Sequence, residues 1–454
     1  MRIQIEKYSC LHKRCRQFFR LLNFLVKEKF MANVLTRKRG KVYEYQFEIA
    51  PQDGKRKRIT KSGFKTKVEA NKEGIKAYNE YMQTGQSFVP SKMSYSDYLD
   101  YWMKQYCQIN LQYRTIETYH TVIEAHIKPK LGFYGLSQIT TSAIQEFINA
   151  LYVERGFSKA YLKSILKIVK SSFAYAFDVV GFIKSNPALK AKIPKYDPSE
   201  ETDPVHIFTK EEIDIIFNRF RNSRCVYLAF LTAYHTGLRI SEVFGLTWED
   251  IDFEKKTLRV DRNIVKKNQV GGTKKRHLSG KSTGVWYFGP CKTKNSYRTI
   301  EIGDTLINAL KEFKEEQEIF EKQYGDMYMK HYAKEVLNPF TNKKEIKIVN
   351  AHAELEVALP EVHLIFLKDN GIFEGTDTCK HPFKVIHYEL GIPCRFHDFR
   401  DTHATRLIEN GADIKAVSKR LGHSSIEITY NIYVRVTKKM EESVVGIFED
   451  FATA

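Results

Sequence analysis

At 454 residues the chain has room for about three domains; 43% apolar and 28% charged residues with only 12 prolines exclude a stapled miniprotein and wholesale disorder. Lys plus Arg outnumber Asp plus Glu by 73 to 54, a net charge of +19 that points to a polyanionic partner, nucleic acid first and an anionic membrane surface second. No run approaches about 18 uninterrupted apolar residues, so no membrane span is expected, and 7 scattered cysteines without a C-x-x-C pair fit a reduced cytosol.

The charge is uneven: residues 1–90 hold 21 basic and 8 acidic side chains. Residues 1–30 are an extension of open status. They are either a short amphipathic helix through Phe18, Phe19, Leu21, Leu22, Phe24 and Leu25, or an upstream segment with Met31 as the start. Arg20 interrupts the apolar run and no small-residue cleavage site follows, which argues against a signal peptide. From Lys41, the alternation of Tyr43, Tyr45, Phe47 and Ile49 with Glu44, Gln46 and Glu48 predicts a half-buried strand, followed by a turn at Pro51 to Gly54 and a second strand carrying Ile59. Thr66 with Glu69 makes a capping box for a helix to about Met82. Arg37, Lys38, Arg39, Lys55, Arg56, Lys57 and Arg58 edge this region and can lie along a phosphate backbone; the plainer reading is a solvated charged face.

Gly85 to Ser94 reads as a linker and residues 95–190 as helices. Lys159, Lys163, Lys167 and Lys170 form one strip of a helix, beside an apolar strip of Leu162, Leu166, Val169 and Phe173. Pro194 to Pro204, with three prolines and four acids, is a second linker.

Four short constellations follow. Thr236 to Glu242 is a glycine turn leading into a helix whose first turn holds Arg239, a place suited to phosphate. Lys292 to Ile300 reads as a hairpin with Asn295 and Ser296 at its tip, bringing Lys292 and Lys294 near that tip. His397 to Thr405 reads as a helix with His397 and Arg400 on one face, Leu407 and Ile408 on its buried side and Gly411 as its stop. The pair His397 and His403 has no third ligand at metal spacing, so no metal site is expected. Leu421 to Ser425 then precedes a helix with Tyr430 and Tyr433, which Ser424 and Glu427 can cap.

Together, Arg239, a lysine at 292 or 294, His397-x-x-Arg400, Gly422-His423 and a tyrosine ten residues beyond His423 resemble the tyrosine recombinase family, in particular the integrases of temperate phages and conjugative transposons. The resemblance implies an α+β multidomain fold: a three-stranded sheet plus helix as arm-type DNA-binding domain (31–90), an all-helical core-binding domain (91–195), and a mainly helical catalytic domain with a small β-sheet or hairpin (205–437). Residues 438–454 form a tail, whose stripe Val444, Ile447, Phe448 and Phe451 docks on a neighbouring subunit or packs on its own domain.

The implied activity is site-specific cutting and rejoining of DNA through a 3′-phosphotyrosine, to integrate and excise a prophage or mobile element, without metal, ATP or other cofactor. Tyr433 is the implied nucleophile, with Tyr430 the weaker candidate. Arg239 and Arg400 clamp the nonbridging oxygens, and Lys292, preferred to Lys294 for its Lys-Thr step, protonates the leaving oxygen. His397 is the base, its pKa expected near neutrality, and His423 donates to the phosphate. Implied partners are double-stranded DNA at core and arm sites, three further copies in a homo-tetramer on synapsed DNA, an excisionase and a host DNA-bending protein, in the cytoplasm of a bacterial host at its nucleoid. The competing readings are a type IB-like topoisomerase and a non-catalytic DNA-binding regulator. Residues 313–360 are longer than the family leads one to expect and are assigned no chemistry.

Overall fold

The alternation around Tyr45 becomes one face of a small sheet. The structure, a computed structural model, describes residues 34–52, 55–84, 93–196, 205–267, 284–291 and 293–434, without the side chains of 49–52, 55–57, 80, 82–84, 433 and 434. The chain falls into two compact units, Met1–Pro198 and Ser199–Ala454.

In the first unit, strands β1 (Leu35–Arg39), β2 (Val42–Gln52) and β3 (Lys55–Phe64) pair antiparallel in chain order, and helix α1 (Lys67–Thr84) packs on them. Tyr45 and Phe47 are buried there with Tyr78 of the helix. The helix starts where the capping residues place it: Thr66 Oγ1 accepts the Glu69 N–H at 3.1 Å, and the Glu69 carboxylate reaches back to the N–H of Lys65. Glu44 departs from the alternation. It is buried rather than solvated, because it sits directly across from Arg37, which donates to it, with Arg39 at 3.5 Å on its other oxygen. The Arg37 hydrogen bond, then the two arginine charges, hold its carboxyl below the ordinary value.

Residues 93–196 are helical, with α2 (Tyr95–Trp102), α3 (Tyr113–Val122), α4 (Thr141–Arg155) and α5 (Lys159–Ala174) around one apolar core. On α5, Leu162, Leu166, Val169 and Phe173 are buried, Lys163 and Lys167 are exposed, and Lys159 and Lys170 are half-buried. The two strips therefore separate as a 3.6-residue period requires.

The second unit opens with α6 (Lys210–Phe220), α7 (Arg224–Thr236) and the single turn α8 (Ile240–Val243). Strands β4 (Ile251–Asp252), β5 (Thr257–Val260), β6 (Arg262–Lys267), β7 (Val285–Pro290) and β8 (Arg298–Glu301) follow. After α9 (Asp304–Tyr324) come β9 (Met329–Leu337) and β10 (Lys344–His352), then α10 (Lys380–Tyr388), α11 (Phe396–Glu409), α12 (Ile414–Leu421) and α13 (Ile426–Val434).

The strands make two sheets, β4-β5-β8 and β6-β7-β10-β9. The hairpin expected over Lys292 to Ile300 is therefore absent: β7 and β8, which flank it, belong to different sheets. Ile300 of β8 pairs with Leu258 and both are buried, whereas Phe288 of β7 pairs with Ile264, so each strand follows its own apolar seam. Between them Lys294–Ser296 is a 3₁₀ turn, closed by the Ser296 N–H donating to the Thr293 carbonyl at 3.0 Å. The long stretch 313–360 proves to be the end of α9 plus the β9-β10 hairpin, which extends the β6-β7 ribbon through β10. Among the described residues no helix is long and apolar enough to cross a membrane.

Candidate active site

The site forms where the ends of α7 and α12 meet α11. Gly237 caps α7 at φ +66°, and a Cβ there would lie 2.5 Å from a Leu421 methyl and 3.0 Å from the His403 ring, so both the backbone angle and the close approach require glycine. Arg400 of α11 fastens this junction. Its Nη1 donates to the Gly237 carbonyl at 2.7 Å and its Nη2 to the Leu421 carbonyl at 2.8 Å, while its Nε, buried, has no partner among the described residues. Only 1% of Arg400 is exposed. Burial, and next the charge of Arg239, pull its pKa down to about 9.

Arg239 does not sit inside a helix turn as expected. It is the N-cap of α8, a helix of four residues, too short to supply much of a dipole, so the guanidinium rather than the helix end is the cationic element. Glu242 fixes it, accepting from the Arg239 backbone N–H at 3.2 Å and from Nη1 at 2.8 Å. The same buried carboxylate accepts from Arg298 Nη2 at 3.1 Å. Arg298 in turn donates through Nε to the Arg420 carbonyl at 2.7 Å and through Nη1 to the Ser296 carbonyl at 2.9 Å, tying β8 and the 294–296 turn to α12.

Gly422 lets that turn come close: it has φ +70°, and a Cβ would stand 2.7 Å from the Asn295 carbonyl. Asn295 Nδ2 then donates to the His423 carbonyl at 3.0 Å. The His423 ring is buried, its Nδ1 2.7 Å from Thr429 Oγ1 of α13, and burial followed by the charges of Arg400 and Arg239 lower its pKa to about 3.

His397 stands one turn before Asp401 on α11, their Nε2 and Oδ1 3.9 Å apart. Its pKa is not near neutrality: burial, then Arg400, Arg239 and Arg395, lower it to about 4 against the opposing pull of Glu242. Half of its side chain stays exposed, so solvent screens part of that effect. His403 is a structural residue, its Nδ1 donating to the Tyr234 carbonyl at 2.8 Å while its Nε2 accepts from Arg420 at 3.1 Å.

Arg239 and Arg400 are thus close enough to His397 and His423 to lower the proton affinity of both rings, and Arg239 to lower that of Arg400. Lys292 lies outside the described residues, and Lys294 is exposed in its turn. Tyr433 is on α13, which packs on α11 and α12, but its side chain is outside the description; Tyr430 on the same helix is 51% exposed. Ser425, not Ser424, caps α13, accepting the Glu427 N–H at 3.2 Å. The tail stripe and residues 1–30 also lie outside the described residues.

Sequence reading missed Glu242, Arg298, Thr429 and Asp401. Glu242 and Asp401 had a signal in their i+3 and i+4 spacing from Arg239 and His397; Arg298 and Thr429 had none. In the first unit, Arg37 and Arg58 stand across the sheet from Glu44 and Glu48 and are held by them, Arg58 at 2.9 Å, while Lys38 is exposed. The side chains of Lys55, Arg56 and Lys57 lie outside the description.

Residues 207–440 match the model of the Phage integrase family. The chain belongs to that family. It is a tyrosine recombinase of the phage and conjugative-transposon type, a site-specific DNA recombinase. Residues 94–152 of the recombinase match the Phage integrase N-terminal SAM-like domain and residues 34–77 an Arm DNA-binding domain. It is 30% identical over 424 residues to a Tyrosine recombinase XerC-like protein of Caldanaerobacter subterraneus subsp. tengcongensis, covering 91% of this chain and 97% of that one. It is 23% identical to the ICEBs1 integrase of Bacillus subtilis, over 76% of this chain and 80% of the relative. In fold it is similar to the Tn1549 transposon integrase solved with circular intermediate DNA, with a TM-score of 0.55 at 18% identity, covering 78% of this chain and 100% of that one.

Proposed function

We propose that the recombinase breaks a DNA strand by attack of the Tyr433 hydroxyl on a phosphate held between Arg239 and Arg400. The observation that carries this is Arg400: a guanidinium 1% exposed, its Nε without a partner among the described residues, in a cluster where Arg239, Arg298 and Arg400 outnumber the carboxylates Glu242 and Asp401. Such a site is short of an anion, and a phosphodiester gaining charge in its transition state supplies it. One preorganised donor of this kind contributes about 3 to 4 kcal/mol.

In this reading His397, neutral at pH 7, takes the tyrosine proton, and a bound phosphate, by offsetting the arginine charges, raises its proton affinity. The Thr429 hydroxyl donates to His423 Nδ1, leaving the His423 Nε2–H for the phosphate. Lys292, with Lys294 as the alternative, protonates the departing 5′ oxygen. The 3′-phosphotyrosine keeps the energy of the broken bond, so a second 5′-hydroxyl reverses the step.

Double-stranded DNA is the substrate, with residues 31–90 on arm sites through Arg37, Lys38, Arg39, Lys55, Arg56, Lys57 and Arg58. Residues 91–195 engage core sites through Lys159, Lys163 and Lys167, and 205–437 carry the chemistry. Four copies act on two synapsed duplexes in the cytoplasm of a bacterial host, at its nucleoid, with an excisionase and a host DNA-bending protein setting direction. The match of residues 34–77 to an Arm DNA-binding domain favours integration over the topoisomerase and regulator readings. The test is a nicked suicide core-site duplex: the wild-type chain traps a covalent adduct, Tyr430→Phe traps it too, and Tyr433→Phe does not. An adduct with Tyr433→Phe refutes the assignment.

A further inference from the structure

Asp401 is 4% exposed, and its Oδ1 accepts no hydrogen bond from any described residue. A buried carboxylate oxygen left without a donor needs a reason. The group it faces is the His397 imidazole, one helical turn earlier on α11, with Nε2 at 3.9 Å. That separation is longer than a hydrogen bond in the DNA-free chain, and hydrogen bonds within catalytic sites commonly tighten only when substrate is bound.

We propose, resting on the reading of His397 as the base, that Asp401 is its positioning residue: the carboxylate takes the Nε2–H, fixes the neutral tautomer with its lone pair on Nδ1, and stabilises the imidazolium that forms. In the reaction the Tyr433 oxygen bonds to phosphorus as the bond from phosphorus to the 5′ oxygen breaks. The phenolic proton passes to His397 Nδ1, and the 5′ oxygen takes its proton from the lysine ammonium, so charge and atoms balance. Asp401 exchanges no proton with the substrate. The logic is that of an acid, a histidine and a hydroxyl in series, with the acid orienting the ring.

The charges around the pair set how strongly they couple. His397 faces Arg400 and Arg395 from its own helix and N-cap, Arg239 and Glu242 from the α8 turn, and His423 from the end of α12. Asp401 faces Asp398, which adds to the effect of burial, and Arg400 and Arg395, which oppose it; its carboxyl stands at about 6 and is ionised at pH 7. In the DNA-free chain Asp401 is therefore neutral before His397, at about 4, takes its proton, and the two couple where a bound phosphate raises His397. Burial and three guanidiniums press His397 toward neutrality and Glu242 opposes them; Asp401, on the same helix face, adds to that opposition once the pair closes.

The test uses the full-length chain and Asp401→Asn, which keeps the shape and removes the charge, with melting temperature as the check on folding. First, the His397 imidazole is titrated by NMR with 13C-labelled histidine in the chain bound to an intact core-site duplex, where the phosphate raises His397 toward the pH range in which Asp401 is ionised, and is assigned with His397→Gln. The wild-type ring should bind its proton about tenfold more tightly than the ring in the variant, a shift of about one pH unit. Coincident titrations overturn the pairing. Second, single-turnover cleavage of a nicked core-site duplex is followed against pH. The acid limb should move to lower pH in the variant, by a similar amount, and the plateau rate should fall about tenfold because the base is weaker. A lowered plateau with an unmoved limb and an unmoved NMR titration marks a merely structural residue and overturns the proposal. A moved titration with an unmoved limb keeps the pairing but removes His397 as the base, and with it the role proposed for Asp401.

Discussion

Glu242→Gln removes the carboxylate that holds both Arg239 and Arg298 while keeping its shape. Glu242 accepts three hydrogen bonds, from the Arg239 N–H at 3.2 Å, Arg239 Nη1 at 2.8 Å and Arg298 Nη2 at 3.1 Å. An amide oxygen serves two of these at most, and its NH2 group is forced against a guanidinium. Removing one member of a buried ion pair costs about 3 to 5 kcal/mol, and the acceptor that glutamine retains puts the expectation near the lower end, about 3 kcal/mol. In a unit of this size each kcal/mol moves Tm by about 2 to 4 °C, so the variant should melt about 6 to 12 °C lower at pH 7. The pH dependence has a definite sign. Burial pushes the Glu242 carboxyl up, but Arg298 and Arg239 outweigh it and hold it below its ordinary value. Its contribution is therefore full above the unfolded pKa of about 4.3 and is lost as pH falls through the folded one, so wild type and variant should draw together as the pH is lowered below about 4.3. Thermal melting across that range is the assay, with suicide-substrate cleavage alongside, expected to fall at least about tenfold as Arg239 loses its fixed position. A Tm loss under about 2 °C at pH 7, or a gap that widens in acid, refutes the bridging role.

Arg400→Lys should lower single-turnover cleavage by about 10² to 10³-fold, since one ammonium cannot donate to Gly237, Leu421 and a phosphate in the geometry of the planar fork; cleavage within threefold of wild type contradicts this. His403 and His423 are held neutral, at about 4 and about 3, against an unfolded value of about 6.5, so each contributes stability above that value that is lost as pH falls. At pH 5 each costs about 2 kcal/mol, and Asp401, raised to about 6, returns about 1.4 kcal/mol with the opposite sign. These three groups together lose about 2 to 3 kcal/mol between pH 7 and 5, and His397, also held low, adds to that; the loss should appear in urea unfolding of the wild type and shrink in His423→Asn, and an unchanged midpoint between the two pH values counts against the buried neutral histidines.

Period and caps carried the elements whose burial is decided locally. The 3.6-residue strip on α5 and the Thr66 and Glu69 start of α1 needed no knowledge of what they pack against. The strand pairing between Lys292 and Ile300 did not yield to the same reasoning, because whether two strands pair with each other depends on partners distant in sequence: Leu258 for Ile300, Ile264 for Phe288. At the site, motif spacing brought out the cations, since arginine and histidine are singled out by what they do to phosphate. The groups that fix them were hidden. Glu242 and Asp401 look like ordinary helix acids until burial shows what they face, and Thr429 reads as a helix residue until the end of α12 delivers His423 onto it. Proton affinities were the least legible. His397 was expected near neutrality, and only its burial, with three arginines packed around it, shows why it is driven well below.

The central claim is that Tyr433, on the helix beside the Arg239 and Arg400 pocket, becomes joined to DNA. Trypsin cleavage after Arg420 and Arg435 releases residues 421–435, a peptide holding both Tyr430 and Tyr433. Fragmentation of that peptide, recovered from the trapped and nuclease-trimmed adduct, should locate the nucleotide on Tyr433 alone. A nucleotide on Tyr430, or on any residue outside 421–435, contradicts the account.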